Sequence, residues 1–258
     1  MIQAEKITGL LIDIAGVLSV GGEAVPGAPE AMQKLRARKL PLRFLTNTTR
    51  TTQAELVARL NRLGFQIDPS EVFSAPIAAR RYLEQHELRP HLLVHPDLEP
   101  EFDGMDMNNP NAVVVGDAAD AFTYDNMNRA FRVLMEDGGT LIAMGDNKYF
   151  RDKDGLSLDM GPFVHALSYA SGVEPVVVGK PAENFFQQAL RDMDVSPEAA
   201  LMVGDDLEND VGGAQHAGLR GVLVRTGKYQ PDDESHPEIT PDAVFDDFPA
   251  MVTELFGN

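Results

Sequence analysis

The stretch LLIDIAGVL, residues Leu10 to Leu18, decides how the rest of the chain is read. It is an apolar run closed by an acid, Asp13, with Ala15 two positions further on. Strands buried on both faces of a parallel sheet read as continuous apolar runs rather than alternating ones. In open α/β sheets, ligands bind beyond the carboxyl ends of such strands. Asp13 therefore stands where a parallel sheet does its chemistry, although an ordinary loop also places carboxylates at strand ends.

The pattern repeats outward from there. Ile7 to Asp13 reads as a strand and Pro29 to Lys39 as a helix; Pro41 to Leu45 is a second strand and Thr51 to Leu63 a second helix, stopped by Gly64. Such alternation predicts a parallel sheet covered by helices. The middle is less regular. Strands are expected at His91 to Val94, Ala112 to Val115 and Thr140 to Met144, helices at Tyr124 to Glu136 and Gly161 to Ser171, and loops at Asp97 to Asn111 and through DKDGLSLDMG. Alternation then returns. Pro175 to Val178 reads as a strand, Pro181 opens a helix, Ala200 to Val203 is a strand, Asp210 to Ala217 a helix and Gly221 to Val224 a strand. Ala243 to Phe245 and Phe248 to Leu255 complete the pattern. The expected architecture is α/β: a core with a parallel sheet from residues 1–76 and 175–258, and residues 77–174 inserted as a second α/β domain.

Composition narrows the function classes. The chain has 258 residues, enough for a sizeable core. Acids outnumber bases 40 to 22, a formal charge of −18, which disfavours nucleic acid and anionic membranes as partners. No apolar run approaches the roughly 18 residues of a membrane span, and the N-terminus has no basic-then-apolar leader pattern. The absence of cysteine excludes thiolate catalysis and thiolate metal sites, and fits a cytoplasmic protein. The histidines are scattered; only His91 and His95 have ligand-like spacing, and they straddle a short strand.

Four polar clusters sit at predicted strand ends: Asp13 after LLI, Thr46 and Asn47 after RFL, Lys180 after VVVG, and Asp205 with Asp206 after LMVG, followed by Asp210. Parallel strands would bring all four to one edge. Together they resemble a kit for phosphoryl transfer. A carboxylate can attack phosphorus, a hydroxyl and backbone N–H groups can hold phosphate oxygens, a lysine can offset developing charge, and paired aspartates suit Mg²⁺. Taken singly, each has a plainer reading: a loop carboxylate, a turn, a solvated lysine, and a helix cap at Asp210.

The motifs DIAGVL, LTNTTR, VVGKP and GDDLENDVGGAQHAGL resemble those of the haloacid dehalogenase superfamily, and the resemblance covers nearly the whole chain. The position of the insertion resembles subfamily IIA, which implies a Rossmann-like core with a C2-type α/β cap. The stretches DGLSLDMGPFVHALSYASG and LVRTGKYQPDDESHPEITPDAVFDDF resemble a narrower group of phosphatases within it. By resemblance, Asp13 is the nucleophile, Thr46 and the Asn47 backbone bind the phosphate, and Lys180 pairs with the phosphate and Asp13. Mg²⁺ is held by Asp13, the carbonyl of Ala15 and Asp205, with Asp206 supporting it directly or through water, and Asp210 orients Lys180 or the metal waters. The resemblance also implies a homodimer.

Most phosphatases of this superfamily carry a second aspartate where this chain has Ala15. That acid protonates the leaving group and then activates water, work typically worth about 10²–10⁴ in rate. Its loss matters least when the leaving group is already good. Ala15 therefore fits cleavage of P–N or P–O–P bonds in a small phosphorylated substrate or pyrophosphate. A phosphonatase also carries alanine there, but it needs a cap between the first two motifs, and the segment from Asp13 to Thr46 holds only a loop, a helix and a strand. A dehalogenase would not need the Asp205–Asp206 pair. The rival from another class is a phosphate- or metabolite-binding protein with weak or no turnover. Specificity is expected from the cap, with Asn147, Lys148 or Arg151 of GDNKYFRDKDG as the reading side chains.

Overall fold

The computed structural model describes residues 2–136, 138–152 and 155–257, with the side chains of residues 151 and 152 outside that description. It divides into two compact units. Residues 1–46, 54–73 and 180–258 form the first; residues 47–53 and 74–179 form the second.

The first unit carries the sheet that LLIDIAGVL predicts. Its strand order is Ala243–Phe245, Arg220–Val224, Ala200–Gly204, Gly9–Asp13, Leu42–Thr46, Val72–Ser74. The central strand Gly9–Asp13 is buried along its whole length and pairs in parallel with Ala200–Gly204 on one side and Leu42–Thr46 on the other. Register places Ile12 beside Val203 and Asp13 beside Leu45. Asp13 and Thr46 therefore close their strands, and Asp205 follows directly on its own, at one edge of the sheet. Successive side chains alternate between the two faces. Leu10, Ile12, Val203 and Val222 join a core with Met32 and Leu35 of helix Ala28–Ala37 and with Met251 and Val252 of helix Phe248–Phe256. Leu223, one residue on from Val222, packs instead on Leu207 and Val211. Each such buried side chain contributes about 1.5–3 kcal/mol, which offsets the cost of holding charged groups at the sheet edge.

The second unit has its own parallel sheet, ordered Pro175–Val177, Thr140–Ala143, Ala112–Val115, Pro90–Leu93. Helices Ala75–Gln85, Tyr124–Leu134 and Gly161–Ser171 belong to the same unit. Among the described residues, no helix is long and apolar enough to cross a membrane.

Four local expectations change. The helix after Lys180 begins at Glu183, not Pro181, because the backbone of Ala182, at the N-cap position, is not helical (φ −56°, ψ 127°). The helix expected from Asp210 is present but starts earlier and in another form: a wide π-helical turn, Leu207–Gly212, runs directly into a short α-helix, Gly213–His216, and Val211 N–H reaches back to the carbonyl of Asp206 (3.4 Å). Within DKDGLSLDMG, strand Gly155–Leu158 pairs antiparallel with Tyr149–Asp152. The expected loop at 97–111 also opens with a short 3₁₀ segment, Pro96–Phe102, held by Asp97 N–H donating to His95 Nδ1.

Candidate active site

Asp13 lies at the carboxyl end of the central strand and is buried. The Lys180 ammonium donates to Asp13 Oδ1 and, at 2.6 Å, to Asp210 Oδ1. Lys180 is as buried as Asp13. Asp210 reaches it because the wide turn after Asp206 folds back over the strand end, where Asp206 N–H donates to Asp210 Oδ2 (3.2 Å). Asp205, the residue after strand Ala200–Gly204, accepts from the backbone N–H of Lys228 at 2.7 Å. Two glycines make this approach possible. Gly16 (φ +95°) and Gly227 (φ +60°) both face the Asp205 carboxylate, and a Cβ on either would overlap it. Their left-handed backbone is itself a conformation that glycine adopts at little cost. The Thr226 hydroxyl donates to the carbonyl of Gly16, tying the two loops together.

Asp13, Asp205 and Asp210 bring carboxylate oxygens within 4.8 Å of one another. Burial pushes the Asp13 carboxyl well above the usual range, and the charges of Asp210 and Asp205 add to this, while Lys180 opposes it. Burial and the charge of Asp210 raise Asp205 to about 6, against the pull of the Lys228 N–H. For Lys180, burial alone would lower the ammonium; Asp13 and Asp210 outweigh it and hold the group protonated above the ordinary lysine range. Three buried carboxylates thus share one buried cation. The donor set is all oxygen and anionic, so a hard divalent cation fits it.

The predicted residues are not all brought together. Thr46 is buried at the end of its strand, while Asn47, the next residue, belongs to the second unit. Asp206 stands outside the carboxylate trio. Its Oδ1 accepts from Asn209 N–H (3.0 Å), and its Oδ2 from Asn209 Nδ2 (2.9 Å) and Lys228 Nζ (2.9 Å). Ala15 is exposed and bridges to Ser19. In the second unit, Asn147 lines a cavity of about 250 Å³ with Asn47, Thr49, Arg50, Asp117 and Asp159 among its walls. There the Arg50 guanidinium meets Asp117 at 2.5 Å and lies over the Phe150 ring. Lys148 is exposed, and the side chain of Arg151 lies outside the described residues. Thr226, Gly227 and Lys228 were not anticipated as site residues. Their signal is faint: a polar RTGK run directly after an apolar strand.

Two family models match the chain, one described as haloacid dehalogenase-like hydrolase over residues 10–108 and one as HAD-hydrolase-like over residues 177–251. The chain is 47% identical to phospholysine phosphohistidine inorganic pyrophosphate phosphatase of Danio rerio, across 98% of this chain and 96% of the relative. It is 45% identical to haloacid dehalogenase-like hydrolase domain-containing protein 2 of Rattus norvegicus, across 99% and 98%. The structure is similar to a 4-nitrophenylphosphatase from Thermotoga maritima, with a TM-score of 0.89 and 25% identity, covering 98% of this chain and 99% of that one. The chain belongs to the haloacid dehalogenase-like hydrolases. Within them it is an enzyme of the phosphatase type.

Proposed function

We propose that this phosphatase is Mg²⁺-dependent, works through an aspartyl-phosphate on Asp13, and cleaves activated P–N or P–O–P bonds. One observation carries the reading: the Asp13–Lys180–Asp205 constellation is complete while the position of the usual acid is Ala15. The relative from Danio rerio is named for substrates with such bonds.

Asp13, Asp205 and the carbonyl of Ala15 would hold Mg²⁺, which supplies positive charge against the phosphoryl oxygens. The Thr46 hydroxyl and the Asn47 N–H bind those oxygens. Asp13 attacks phosphorus and forms an acyl phosphate, and the bond to the leaving nitrogen or oxygen breaks. Lys180, held in place by Asp210, offsets the charge that builds on the phosphoryl group. No side chain at position 15 can donate a proton at this point, so the leaving group must depart without one or carry its own. Water then attacks phosphorus, phosphate leaves, and Asp13 is regenerated. Specificity for the leaving group is assigned to the second unit, whose polar cavity is lined by Asn147 and Arg50.

The test is phosphate release from pyrophosphate, imidodiphosphate, a phosphohistidine peptide and a sugar phosphate, with Mg²⁺ and with Asp13→Asn as control. Wild type should cleave the activated bonds far faster than the sugar phosphate, and Asp13→Asn should fall below about a thousandth of wild type. Equal silence of both proteins on every substrate, with Mg²⁺ and phosphate still bound, would support a binding protein instead.

A further inference from the structure

Lys228 touches two neighbouring carboxylates by two different groups. Its backbone N–H donates to Asp205 Oδ2 at 2.7 Å, and its ammonium to Asp206 Oδ2 at 2.9 Å. Neither contact is accidental in the chain path. Gly227 leaves no room for a Cβ against Asp205, and the Thr226 hydroxyl fastens the loop to Gly16, so the backbone of residue 228 is pinned beside the site. The Lys228 side chain is 67% exposed and the Asp206 side chain only 17%. The lysine thus lies over the carboxylate from the solvent side. With Asn209 supplying two more donors, both oxygens of Asp206 are engaged, and the residue stays out of the trio formed by Asp13, Asp205 and Asp210.

We propose that Lys228 is a positioning residue that sets the metal preference of the site: its ammonium keeps Asp206 out of the inner coordination sphere while its N–H aims Asp205 into it. The inference rests on the metal-binding part of the proposed function. Its chemical consequence is selective. Mg²⁺ is bound through one or two carboxylates and keeps several waters, whereas Ca²⁺ takes 6–8 oxygens and accepts bidentate carboxylates. A carboxylate released next to Asp205 would help Ca²⁺ more than Mg²⁺. Loss of the ammonium also makes the site more negative, but that strengthens both cations. The ratio of their affinities therefore separates tethering from simple charge.

The experiment is titration calorimetry of MgCl₂ and CaCl₂ into the metal-free full chain, for wild type, Lys228→Met, Lys228→Arg, Asp206→Asn and the Lys228→Met/Asp206→Asn double variant. Lys228→Met should tighten Ca²⁺ at least about tenfold more than it tightens Mg²⁺. Lys228→Arg, which keeps charge and donors, and the double variant, which has no carboxylate to release, should return the ratio to within about twofold of wild type. Asp206→Asn alone should leave the Mg²⁺ Kd within about threefold of wild type, a result that does not depend on how Lys228→Met folds. Equal tightening of both cations by Lys228→Met would overturn the proposal. So would a loss of Mg²⁺ affinity beyond about tenfold in Asp206→Asn, which would make Asp206 a ligand. A wild type that binds neither cation overturns it together with the metal in the proposed function. A wild type that shows these ratios but hydrolyses no phosphate sinks the proposed function and leaves this inference standing.

Discussion

Among the described residues, Lys180 is the one cation buried beside Asp13, Asp205 and Asp210, and its ammonium is bonded to two of the three. Removing one partner from a buried charge group typically costs about 3–5 kcal/mol, because the charges left behind are uncompensated. Lys180→Met should therefore destabilise the metal-free protein by about that much at pH 8. At pH 5 the loss should be smaller, since the orphaned carboxylates can take up protons. Urea unfolding at the two pH values measures it, and an equal loss at both would contradict the assignment. The wild type has a related pH dependence. Asp13 and Asp205 have folded values raised from 3.8 to about 8 and about 6. The folded state then holds protons that the unfolded chain has released, so stability is full below the unfolded value and falls as pH rises through the folded ones. Thermal unfolding in chelator should show the midpoint falling from pH 5 to pH 8, and excess Mg²⁺ should flatten the curve. A flat curve in chelator would mean that these carboxylates ionise without cost.

Between residues and fold lie the loops that aim the site. Strand ends deliver Asp13, Thr46 and Asp205 to one edge, but loop geometry decides how close the groups approach. Gly227 is the sharpest case, since it needs both a positive φ and an absent Cβ beside Asp205. Gly21 shares the same φ of +60° with nothing around it. Gly227→Ala should lose about 2 kcal/mol or more from left-handed backbone strain and overlap together, and should weaken Mg²⁺ binding. Gly21→Ala should lose only the strain and leave Mg²⁺ binding unchanged. Chemical denaturation and metal titration of the two variants check this, and matching losses would show that the close approach to Asp205 is unimportant. The wide turn at Leu207–Gly212 belongs to the same level. Its helical spacing was readable, but the backward reach of Val211 N–H to Asp206, which turns Asp210 toward Lys180, depends on tertiary contacts that periodicity does not carry.

For the whole molecule, what the sequence shows best is what burial writes into it. Gly9–Asp13 and Ala200–Gly204 are buried throughout, so their apolar runs were continuous, and the polar residue ending each run marked the sheet edge. Strands of the second sheet were readable for the same reason, as at Ala112–Val115. What escaped had no such imprint. Strand Val72–Ser74 is too short to show a period, and the Gly155–Leu158 strand exposes Leu156 and Leu158 beside turn-forming residues. Lys228 looked like any exposed lysine, because its role comes from where the preceding glycine puts it. Asn47–Gln53 follows directly on a core strand, yet groups with the second unit, a partition that only tertiary contacts reveal.

Ala15 ties these scales together: an exposed side chain, bridged through its backbone to Ser19, two residues beyond the buried Asp13 on which the proposed function rests. The decisive measurement is kcat/KM of wild type and Ala15→Asp for a simple alkyl phosphate and for a phosphoramidate. The substitution keeps the backbone carbonyl and returns the missing acid. Alkyl phosphate turnover should rise about 10²-fold or more, with phosphoramidate turnover nearly unchanged. If Ala15→Asp leaves the alkyl phosphate as poor a substrate as before, the missing acid is not what restricts this enzyme.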